Sequence, residues 1–520
     1  MLHHFPFYLS LIVIIIFLIM LANKVKVAYP IFLVLAGLAI SFVPGVPVIS
    51  IDPELIFIIF LPPLLYEAAW NTSWKELWRW RRIIGSFAFL IVFLTATVVA
   101  LVANYMIPGF TIALGFLLGA IVSPPDAVSA GAILRFVKVP KRLASILEGE
   151  SLLNDASSLI IMRFALIAVG TGQFVMHEAA LSFVWMVLGG IGIGVLIGFV
   201  FFKAHRLFPT DVNTDIVLSL VAPYIMYIAA ESIESSGVLS VVSGGLFLAN
   251  RKHLFLSNSS RLRAENVWES LCFILNGLVF MLIGLDLSEI TSNLNDVSIG
   301  TAIGYGVLIT AVLIVVRILS AYGAVVFTLI ARNFITVADK RSPGVKGPFI
   351  LGWAGMRGVV SLAAALSIPV YYNDILLPQR NLILFITFVV ILLTLVLQGL
   401  TLPYLIRKMN LVDQDNHLPE GEAYLQLYKQ LAEQSLVHLK ENYPEELRQQ
   451  LARKWEDSHQ LLENEIMATE CRVVYVSMLN KQREWLRDWN KDYTIDEEVI
   501  RKHLHRLDLE EEKMKFLATE

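Results

Sequence analysis

The stretch EGESLLNDASSLI, residues 148–160, carries charged and polar side chains within a long apolar segment of the chain. The segment follows a basic cluster that ends at Arg142. A helix that starts there and rises ~1.5 Å per residue carries the Asp155 carboxylate about 18 Å into a hydrocarbon layer about 30 Å thick. Such a carboxylate costs about 2.5 to 3.5 kcal/mol on insertion scales, so it predicts a functional site within a membrane.

Oxygen-bearing side chains surround this acid on neighbouring faces of the same predicted helix. Ser151 lies one turn before Asp155, and Asn154 lies beside it; Glu150 and Asn154 are also four residues apart. Hard cations prefer oxygen ligands, so the cluster indicates a cation and proton site. The alternative is a polar contact between membrane helices, which is the favoured interpretation for the serine pair at 157–158.

The composition is that of a polytopic membrane protein. Of 520 residues, 56% are hydrophobic and only 16% charged, and the mean hydropathy is strongly positive, which excludes an ordinary soluble globular protein. Two cysteines are too few to indicate a disulfide framework. The expected partners are ions and the lipid bilayer, and neither a nucleic acid nor a cofactor is predicted.

Thirteen apolar runs are long enough to span a membrane. They are residues 7–21, 28–43, 51–70, 83–106, 111–134, 143–170, 180–202, 214–233, 237–250, 267–287, 300–330, 347–370 and 381–406. The loops after the odd-numbered spans hold 22 Lys or Arg residues, and the other loops hold one, Arg380. The positive-inside rule therefore predicts an external amino terminus and a cytoplasmic tail.

An odd number of spans suits two inverted six-span repeats joined by the seventh span. The fifth span would then correspond to the twelfth, and both are interrupted. The fifth contains SPPDAV around Asp126, and the twelfth contains the glycine-rich stretch at 352–369 around Arg357. Paired interruptions of this kind indicate a transporter binding site, because half-helix ends present dipoles and free backbone groups at the midplane. The alternative is two ordinary kinked helices.

Three further charges fall inside predicted spans. Glu67 lies in FLPPLLYEAAW, residues 60–70, where it is either a site ligand or an acid that reaches the cytoplasmic aromatic belt. Arg317 needs a buried acid, for which Glu150 is the natural candidate. The sequence offers no partner for Arg163.

Beyond Asn410 the apolar runs stop, and three charged amphipathic stretches follow at 419–443, 444–493 and 494–517. The chain therefore divides into a transmembrane domain, residues 1–409, and a helical cytoplasmic tail, residues 410–520. The tail is interpreted as regulatory, as a dimer contact or as a partner-binding segment; a solvated helical appendage is an equally good interpretation.

The motifs FLPPLLYEAAW, SPPDAV, EGESLLND and GMRG resemble those of the monovalent cation/proton antiporters, which include the Na+/H+ exchangers. The resemblance is closest to the bacterial form with a long cytoplasmic tail, and EGESLLND is its most specific motif. It implies an all-α homodimer in the plasma membrane, with thirteen helices per protomer. It also implies a core domain with crossed, discontinuous helices that moves against a dimerisation domain.

The resemblance also implies roles for the site residues. Asp155 corresponds to the ion- and proton-binding carboxylate, and Asn154 to its neighbour in an Asn-Asp pair. Ser151 and Glu67 correspond to auxiliary ligands of the monovalent cation. Asp126 corresponds to the acid of the broken fifth span.

Glu150 and Arg317 resemble the structural ion pair of the family, and Arg357 resembles the basic residue of its broken twelfth span. The chain departs from the family at 125–127, where Pro-Asp-Ala replaces the common Thr-Asp-Pro. A threonine oxygen is therefore missing, and coordination at that point is expected to rely on backbone carbonyls, Ser123 or water.

These observations predict an antiporter that exchanges Na+ or Li+ for H+ through alternating access. Since electrogenic relatives carry a second Asp where this chain has Asn154, the resemblance implies one proton per cation. A K+/H+ antiporter is the nearest alternative. A cation channel would need a continuous pore and a repeated selectivity filter. An enzyme is not predicted, since the sequence shows neither a metal-ligand cluster nor a nucleophile elbow.

Overall fold

The computed structural model describes sixteen stretches of the chain. They are residues 5–25, 27–43, 53–134, 137, 139–172, 176–208, 210–286, 290–291, 294, 297–331, 344–372, 375–377, 379–411, 420–445, 469–492 and 495–516. Within these ranges the regular structure is helical, apart from one antiparallel pair of two-residue strands. The prediction of an all-α protein therefore misses only this short hairpin.

The helices up to the predicted site are α1 (Phe5–Val25), α2 (Tyr29–Ser41), α3 (Pro53–Asn71), α4 (Trp74–Gly85), α5 (Val92–Met106), α6 (Ile112–Val122), α7 (Ala127–Leu134) and α8 (Lys141–Thr171). A π-helical turn, Ser86–Ile91, joins α4 to α5 without a break. The predicted span at 143–170 is thus a helix, α8, and Asp155 lies near its middle.

The helices that follow are α9 (Met176–Leu207), α10 (Val212–Glu231), α11 (Gly237–Ala249), α12 (Lys252–Phe255), α13 (Asn258–Leu285) and α14 (Ile299–Ala331). Next come α15 (Lys346–Trp353), α16 (Val359–Leu366), strands β1 (Tyr371–Tyr372) and β2 (Ile375–Leu376), α17 (Arg380–Leu393) and α18 (Gly399–Met409). A second π-helical turn, Thr394–Gln398, joins α17 to α18. The tail contains α19 (Glu420–Asn442), α20 (Thr469–Trp489) and α21 (Glu497–Phe516).

Seven continuous helical segments of the described chain are long and apolar enough to cross a membrane. They are Trp74–Met106, Lys141–Thr171, Ala180–Leu207, Val212–Glu231, Asn258–Leu285, Ile299–Ile330 and Arg380–Met409. Several shorter apolar helices, among them α2, α6 and α11, accompany them. The chain is therefore a multi-pass membrane protein, while the count of thirteen spans and the inverted repeat stay predictions.

Both spans that were predicted to be interrupted are broken. Residues 123–126 separate α6 from α7, and residues 354–358 separate α15 from α16. The first break follows from Pro124 and Pro125, which lack the backbone N–H that a continuous helix requires. The alternative of two merely kinked helices is excluded.

Small residues hold the broken helix α6 tightly against α5. A methyl group added at Gly115 would lie 2.6 Å from the Ala100 carbonyl oxygen, and one added at Gly119 would lie 2.5 Å from that of Ala96. Two small residues four apart on each helix allow the backbones to approach closely, as is common in membranes. This contact fixes α6, whose last turn forms one wall of the site.

By internal contacts the described chain forms two compact units. The first consists of Met1–Pro209, Val217–Lys252 and Val267–Val412, as far as these are described. The second consists of Thr210–Ile216, His253–Asn266 and Asp413–Glu520. Two short segments that include the first turns of α10 and α13 therefore belong to the same unit as the tail, which the composition-based boundary at residue 410 did not anticipate.

The second unit has its own apolar core, formed by α19, α20 and α21. Leu427, Tyr475, Met478, Leu486 and Leu504 are among its buried side chains. The predicted amphipathic stretches at 419–443 and 494–517 correspond closely to α19 and α21; much of the stretch at 444–493 lies outside the described residues. The described helices of the tail therefore pack around a common apolar core.

Candidate ion-binding site

The two helix breaks meet at a single backbone hydrogen bond. The amide of Asp126 donates to the carbonyl oxygen of Met356 over 2.7 Å. Gly358 makes this approach possible, because a methyl group at that position would lie 1.9 Å from the Asp126 carboxylate. The breaks in the fifth and twelfth predicted spans therefore face each other at one place.

Each break places a charge opposite the partial charge of a helix end. The Asp126 carboxylate accepts hydrogen bonds from the amide of Val128 (2.9 Å) and the hydroxyl of Ser129 (2.5 Å) in the first turn of α7. The Arg357 guanidinium donates to the carbonyl oxygens of Val122, at the end of α6, and Gly355, after α15. A carboxylate at an amino end and a cation at carboxyl ends both satisfy unpaired backbone groups and oppose the helix dipoles.

Asn154 connects α8 to this crossing. Its amide nitrogen donates to the Pro125 carbonyl oxygen over 3.1 Å. The side chain is completely buried, and its amide oxygen Oδ1 has no hydrogen-bond partner within the described chain. An unpartnered acceptor in a buried position is costly, so this oxygen is available for a ligand.

Asp155 is buried beside Asn154, with 6% of its surface exposed. None of the hydrogen bonds or ion pairs in the described ranges involves its carboxylate, and the nearby charge of Asp126 repels it. A buried carboxylate without a cation or a proton is unfavourable. The site therefore contains one acid whose charge the protein itself leaves uncompensated.

Glu150, five residues earlier on α8, has the opposite environment. Its two oxygens accept from the Arg317 guanidinium of α14 over 2.7 and 2.8 Å, in a bidentate ion pair that is almost fully buried. Gly355 leaves room for this pair, because a methyl group there would lie 2.3 Å from Cδ of Arg317. The sequence-based pairing of Glu150 with Arg317 is confirmed.

The serine pair of α8 forms helix contacts, as predicted. Ser157 donates to the carbonyl oxygen of Ala88, which lies in the π-helical turn between α4 and α5. Ser158 donates to the carbonyl oxygen of Ala120 on α6 over 2.7 Å. Both serines follow Asp155 within one turn, and their bonds hold α8 against the π-helical turn and against α6.

The second π-helical turn also contributes to the site. The hydroxyl of Thr394, the first residue of that turn, accepts from the Arg357 amide over 3.1 Å. Such π-helical turns frequently occur at functional sites. The sequence analysis missed Thr394 because a threonine within an apolar run gives no signal; it also missed Ser129, whose spacing of three residues from Asp126 is that of a helix cap.

The remaining predicted residues lie at different distances from this arrangement. Ser151 is buried on α8, one turn before Asp155. Glu67 is partly exposed on α3 and accepts a hydrogen bond from the amide of Asn71 over 2.6 Å. Arg163 is 3.7 Å from Glu234, in the turn before α11, a contact that the sequence did not reveal.

The departure from the family pattern near Asp126 has a specific structural outcome. Ser123, which the sequence analysis named beside backbone carbonyls and water as a possible replacement for the missing threonine oxygen, donates to the Ala120 carbonyl oxygen over 3.2 Å. The hydroxyl that contacts the Asp126 carboxylate belongs to Ser129 instead. Ser123 is therefore part of the last turn of α6, and Ser129 is the side-chain hydroxyl bound to the acid.

The arrangement of helices defines the class of protein first. The solved structure of the sodium proton antiporter MjNhaP1 from Methanocaldococcus jannaschii superimposes with a TM-score of 0.63 at 19% identity, covering 78% of this chain and 98% of that one. The fold is therefore that of a membrane antiporter. Residues 10–408 match the family described as "Sodium/hydrogen exchanger, transmembrane", and the chain belongs to that family.

Two bacterial relatives support the assignment. The chain is 37% identical over 379 residues to the "Sodium, potassium, lithium and rubidium/H(+) antiporter" of Bacillus subtilis, covering 71% of this chain and 56% of the relative. It is 33% identical over 402 residues to the "Low-affinity Na(+)/H(+) antiporter NhaS1" of Synechocystis, covering 76% of this chain and 72% of that protein. This chain thus spans little more than half of the length of the Bacillus relative.

Proposed function

We propose that this protein exchanges a monovalent cation, Na+ or Li+, for H+, and that both bind the Asp155 carboxylate. The observation that carries the proposal is the pair of unsatisfied groups side by side on α8. Asp155 is buried without a compensating charge, and the adjacent Asn154 oxygen is buried without a donor. A dehydrated cation satisfies both groups, whereas a proton satisfies the carboxylate alone.

Competition between the two ligands follows from electrostatics. A charged carboxylate in a low-dielectric site is stabilised either by protonation or by a bound cation, and one ligand disfavours the other. An empty charged site is the least favourable state to move through the membrane. If the carrier changes sides only when a proton or a cation is bound, and never when the site is empty, alternating access produces obligatory exchange.

The environments of Glu150, Asp126 and Asp155 support a one-to-one exchange. Glu150 is held in a bidentate pair with Arg317, and Asp126 is bonded to the first turn of α7. Only Asp155 is left to gain and lose charge during a cycle. One cation then replaces one proton, and the exchange is electroneutral.

The choice of cation is the finer part of the proposal. The Bacillus subtilis relative is named for sodium, potassium, lithium and rubidium, so K+ is the second candidate. Glu67 and Ser151 are proposed as auxiliary ligands that complete the coordination when the site is occupied. Arg357 is proposed to stabilise the crossed helix ends.

The membrane arrangement is proposed from the charge bias of the loops. We place residues 1–409 in the plasma membrane as a homodimer, with the amino terminus outside. Residues 410–520 form the cytoplasmic tail with a regulatory role.

The test is ΔpH dissipation in everted membrane vesicles on addition of Na+, Li+ or K+. Wild type is expected to collapse the gradient, and Asp155→Asn to lose at least about 95% of that activity while it remains folded and inserted, because the amide cannot carry the exchanged charge. The matched control is Asp488→Asn, which changes an exposed acid of the tail paired with Lys491 and is expected to exchange normally.

Electroneutrality is tested in the same vesicles by clamping the membrane potential with K+ and valinomycin, in the Na+ and Li+ assays. An unchanged initial rate supports one proton per cation, and a rate that follows the potential contradicts it. Normal exchange by Asp155→Asn would contradict the site assignment itself.

A further inference from the structure

The second structural unit contains a polar cavity of about 310 Å³ that the transport site does not use. Its walls come from the segment at the start of α13 and from tail helices α20 and α21. Of the lining residues only Leu256 is aliphatic, and three arginines, Arg261, Arg483 and Arg487, face the space. A cavity with this lining favours a charged, hydrogen-bonding occupant over an apolar one.

Two of these arginines are neutralised by a buried network. Arg261 donates to both oxygens of Asp508, from Nε over 3.0 Å and from Nη2 over 2.5 Å. Arg483 is 3.1 Å from Asp508 and 2.8 Å from Glu511. Asn258, in the first turn of α13, also donates to Glu511. These groups have fixed positions and complete charge compensation, so they form rigid walls.

Arg487 differs from the other two arginines. Its Nη2 donates to the carbonyl oxygen of His253 over 3.2 Å, and its Nε is buried with no hydrogen-bond partner in the described part of the chain. Among the described residues it forms no ion pair with a carboxylate. Its charge therefore lies near those of Arg261 and Arg483, and Glu484, which also lines the cavity, offsets it only in part.

The local electrostatics agree with this description. Burial, together with the neighbouring charges of Arg261 and Arg483, lowers the pKa of Arg487 below its usual range, although Glu484 partly offsets the effect. Glu511 does not compensate Arg487, since it is engaged by Arg483 and Asn258. An anion that accepts hydrogen bonds from the terminal nitrogens of Arg487 would relieve the repulsion between the arginines.

We propose that this cavity is a binding site for a phosphate-bearing anion, with Arg487 as the principal ligand. The guanidinium presents several donors in one plane, which matches the oxygens of a phosphate group. The volume is at the lower end of the range for small-molecule sites, about 300 to 1,000 Å³, so it admits a phosphate group with a small substituent. A soluble phosphate compound and the headgroup of an anionic lipid both supply this chemistry.

The site has a direct covalent connection to the membrane part of the chain. α13 begins at Asn258 beside the cavity and continues to Leu285 as one of the apolar spans. A bound anion would therefore stabilise the first turn of a membrane helix, together with the tail helices that line the cavity.

The test uses the full-length protein in nanodiscs, with binding of inorganic phosphate measured by isothermal titration calorimetry at constant ionic strength in phosphatidylcholine. A second arm measures the thermal unfolding midpoint in nanodiscs with and without phosphatidylglycerol. In the first arm, Arg487→Gln is expected to weaken the apparent affinity for phosphate about tenfold. In the second arm, it is expected to reduce the stabilisation by phosphatidylglycerol. The control is Arg501→Gln, a partly exposed arginine of α21 that is paired with Glu497 and does not line the cavity; this variant is expected to behave as wild type.

The two arms separate the sources of the phosphate group. Saturable binding of inorganic phosphate that depends on Arg487 identifies a soluble ligand, and a response to phosphatidylglycerol alone identifies a lipid headgroup. If Arg487→Gln does not fold, Arg487→Lys keeps the charge without the planar donor set and is expected to bind several-fold more weakly. Absence of any Arg487-dependent response in both arms overturns the proposal, and this outcome is independent of whether the protein exchanges Na+ for H+.

Discussion

Glu150 and Asp155 lie five residues apart on α8, and both are buried, yet they have opposite surroundings. Glu150 is bonded through both oxygens to Arg317, whereas Asp155 has no hydrogen bond or ion pair within the described chain. Asn154, next to Asp155, resembles it, because its buried side-chain oxygen also has no hydrogen-bond partner in the described chain. Burial alone therefore does not distinguish these two acids; the presence of a fixed counter-charge does.

This difference has an energetic reason. Removal of one partner from a buried ion pair leaves an uncompensated charge, which costs far more than the pair itself contributes. The pair of Glu150 with Arg317 is thus committed to one state. Under the proposed function Asp155 alternates between a protonated and a cation-bound state, and no fixed counter-charge opposes that change.

The largest expected effect is that of Glu150→Gln. The amide removes the negative charge and leaves Arg317 buried without a counter-ion, so the variant is expected to lose about 3 to 5 kcal/mol of stability. The measurement is the thermal unfolding midpoint of the purified protein in detergent. Asp155→Asn makes the same chemical change on the same helix and is expected to leave the midpoint unchanged or higher, because no partner loses its charge. Equal destabilisation of the two variants would contradict the distinction between the two acids.

An intermediate effect is expected from Gly355→Ala. The added methyl group would clash with the Arg317 side chain, because it would lie only 2.4 Å from Nε. It would therefore displace the guanidinium from Glu150. The expected cost is about 1 to 3 kcal/mol, as for other overpacked positions, measured again as unfolding midpoint. Gly323→Ala is the matched control, because within the described chain no atom beyond the adjacent backbone of α14 lies within 4 Å of a methyl group at that position. A midpoint for Gly355→Ala equal to that of the control would show that the pair tolerates displacement.

The smallest expected effect is that of Asn154→Ala, which tests the unpaired groups around Asp155. Asn154→Ala removes the unpartnered oxygen but retains the Asp155 carboxylate, so we expect proton binding to persist and the KM for Na+ to rise about tenfold, which corresponds to about 1.4 kcal/mol. The measurement is the Na+ dependence of ΔpH dissipation. Ser158→Ala, which removes only the helix contact with Ala120, is the control and is expected to keep the KM of wild type. An unchanged KM in Asn154→Ala would exclude this oxygen as a ligand.

The membrane class, most of the helices and the identity of the ion pair could be predicted from the sequence. The apolar runs, the two interrupted spans and a buried arginine that requires an acid are all properties of local composition. The hairpin at β1 and β2, the role of Ser129 and that of Thr394 could not be predicted. Each of them depends on which segments meet across the fold.

The tail illustrates the same limit. Its amphipathic stretches predicted helices, but composition gave no indication that His253–Asn266 would fold with it or that Asp508 would bind Arg261. The charge pattern of a helix predicts which of its residues can be exposed. It does not predict which distant segment supplies a partner for them.

The sequence by itself determined that the chain is a multi-pass membrane protein, since burial of an apolar run in lipid is a local property of that run. It also singled out Asp155, because an acid within such a run is costly wherever the helix lies. The sequence also suggested Glu150 as the partner of Arg317, but only the tertiary structure showed the bidentate geometry of that pair and left the Asp155 carboxylate without a partner in the described chain. Glu150 obtains its counter-charge from Arg317, 167 residues away. The Asp126 amide meets the Met356 carbonyl across two separate helix breaks. Charge compensation depends on distances between segments, and those distances exist only after the helices have packed.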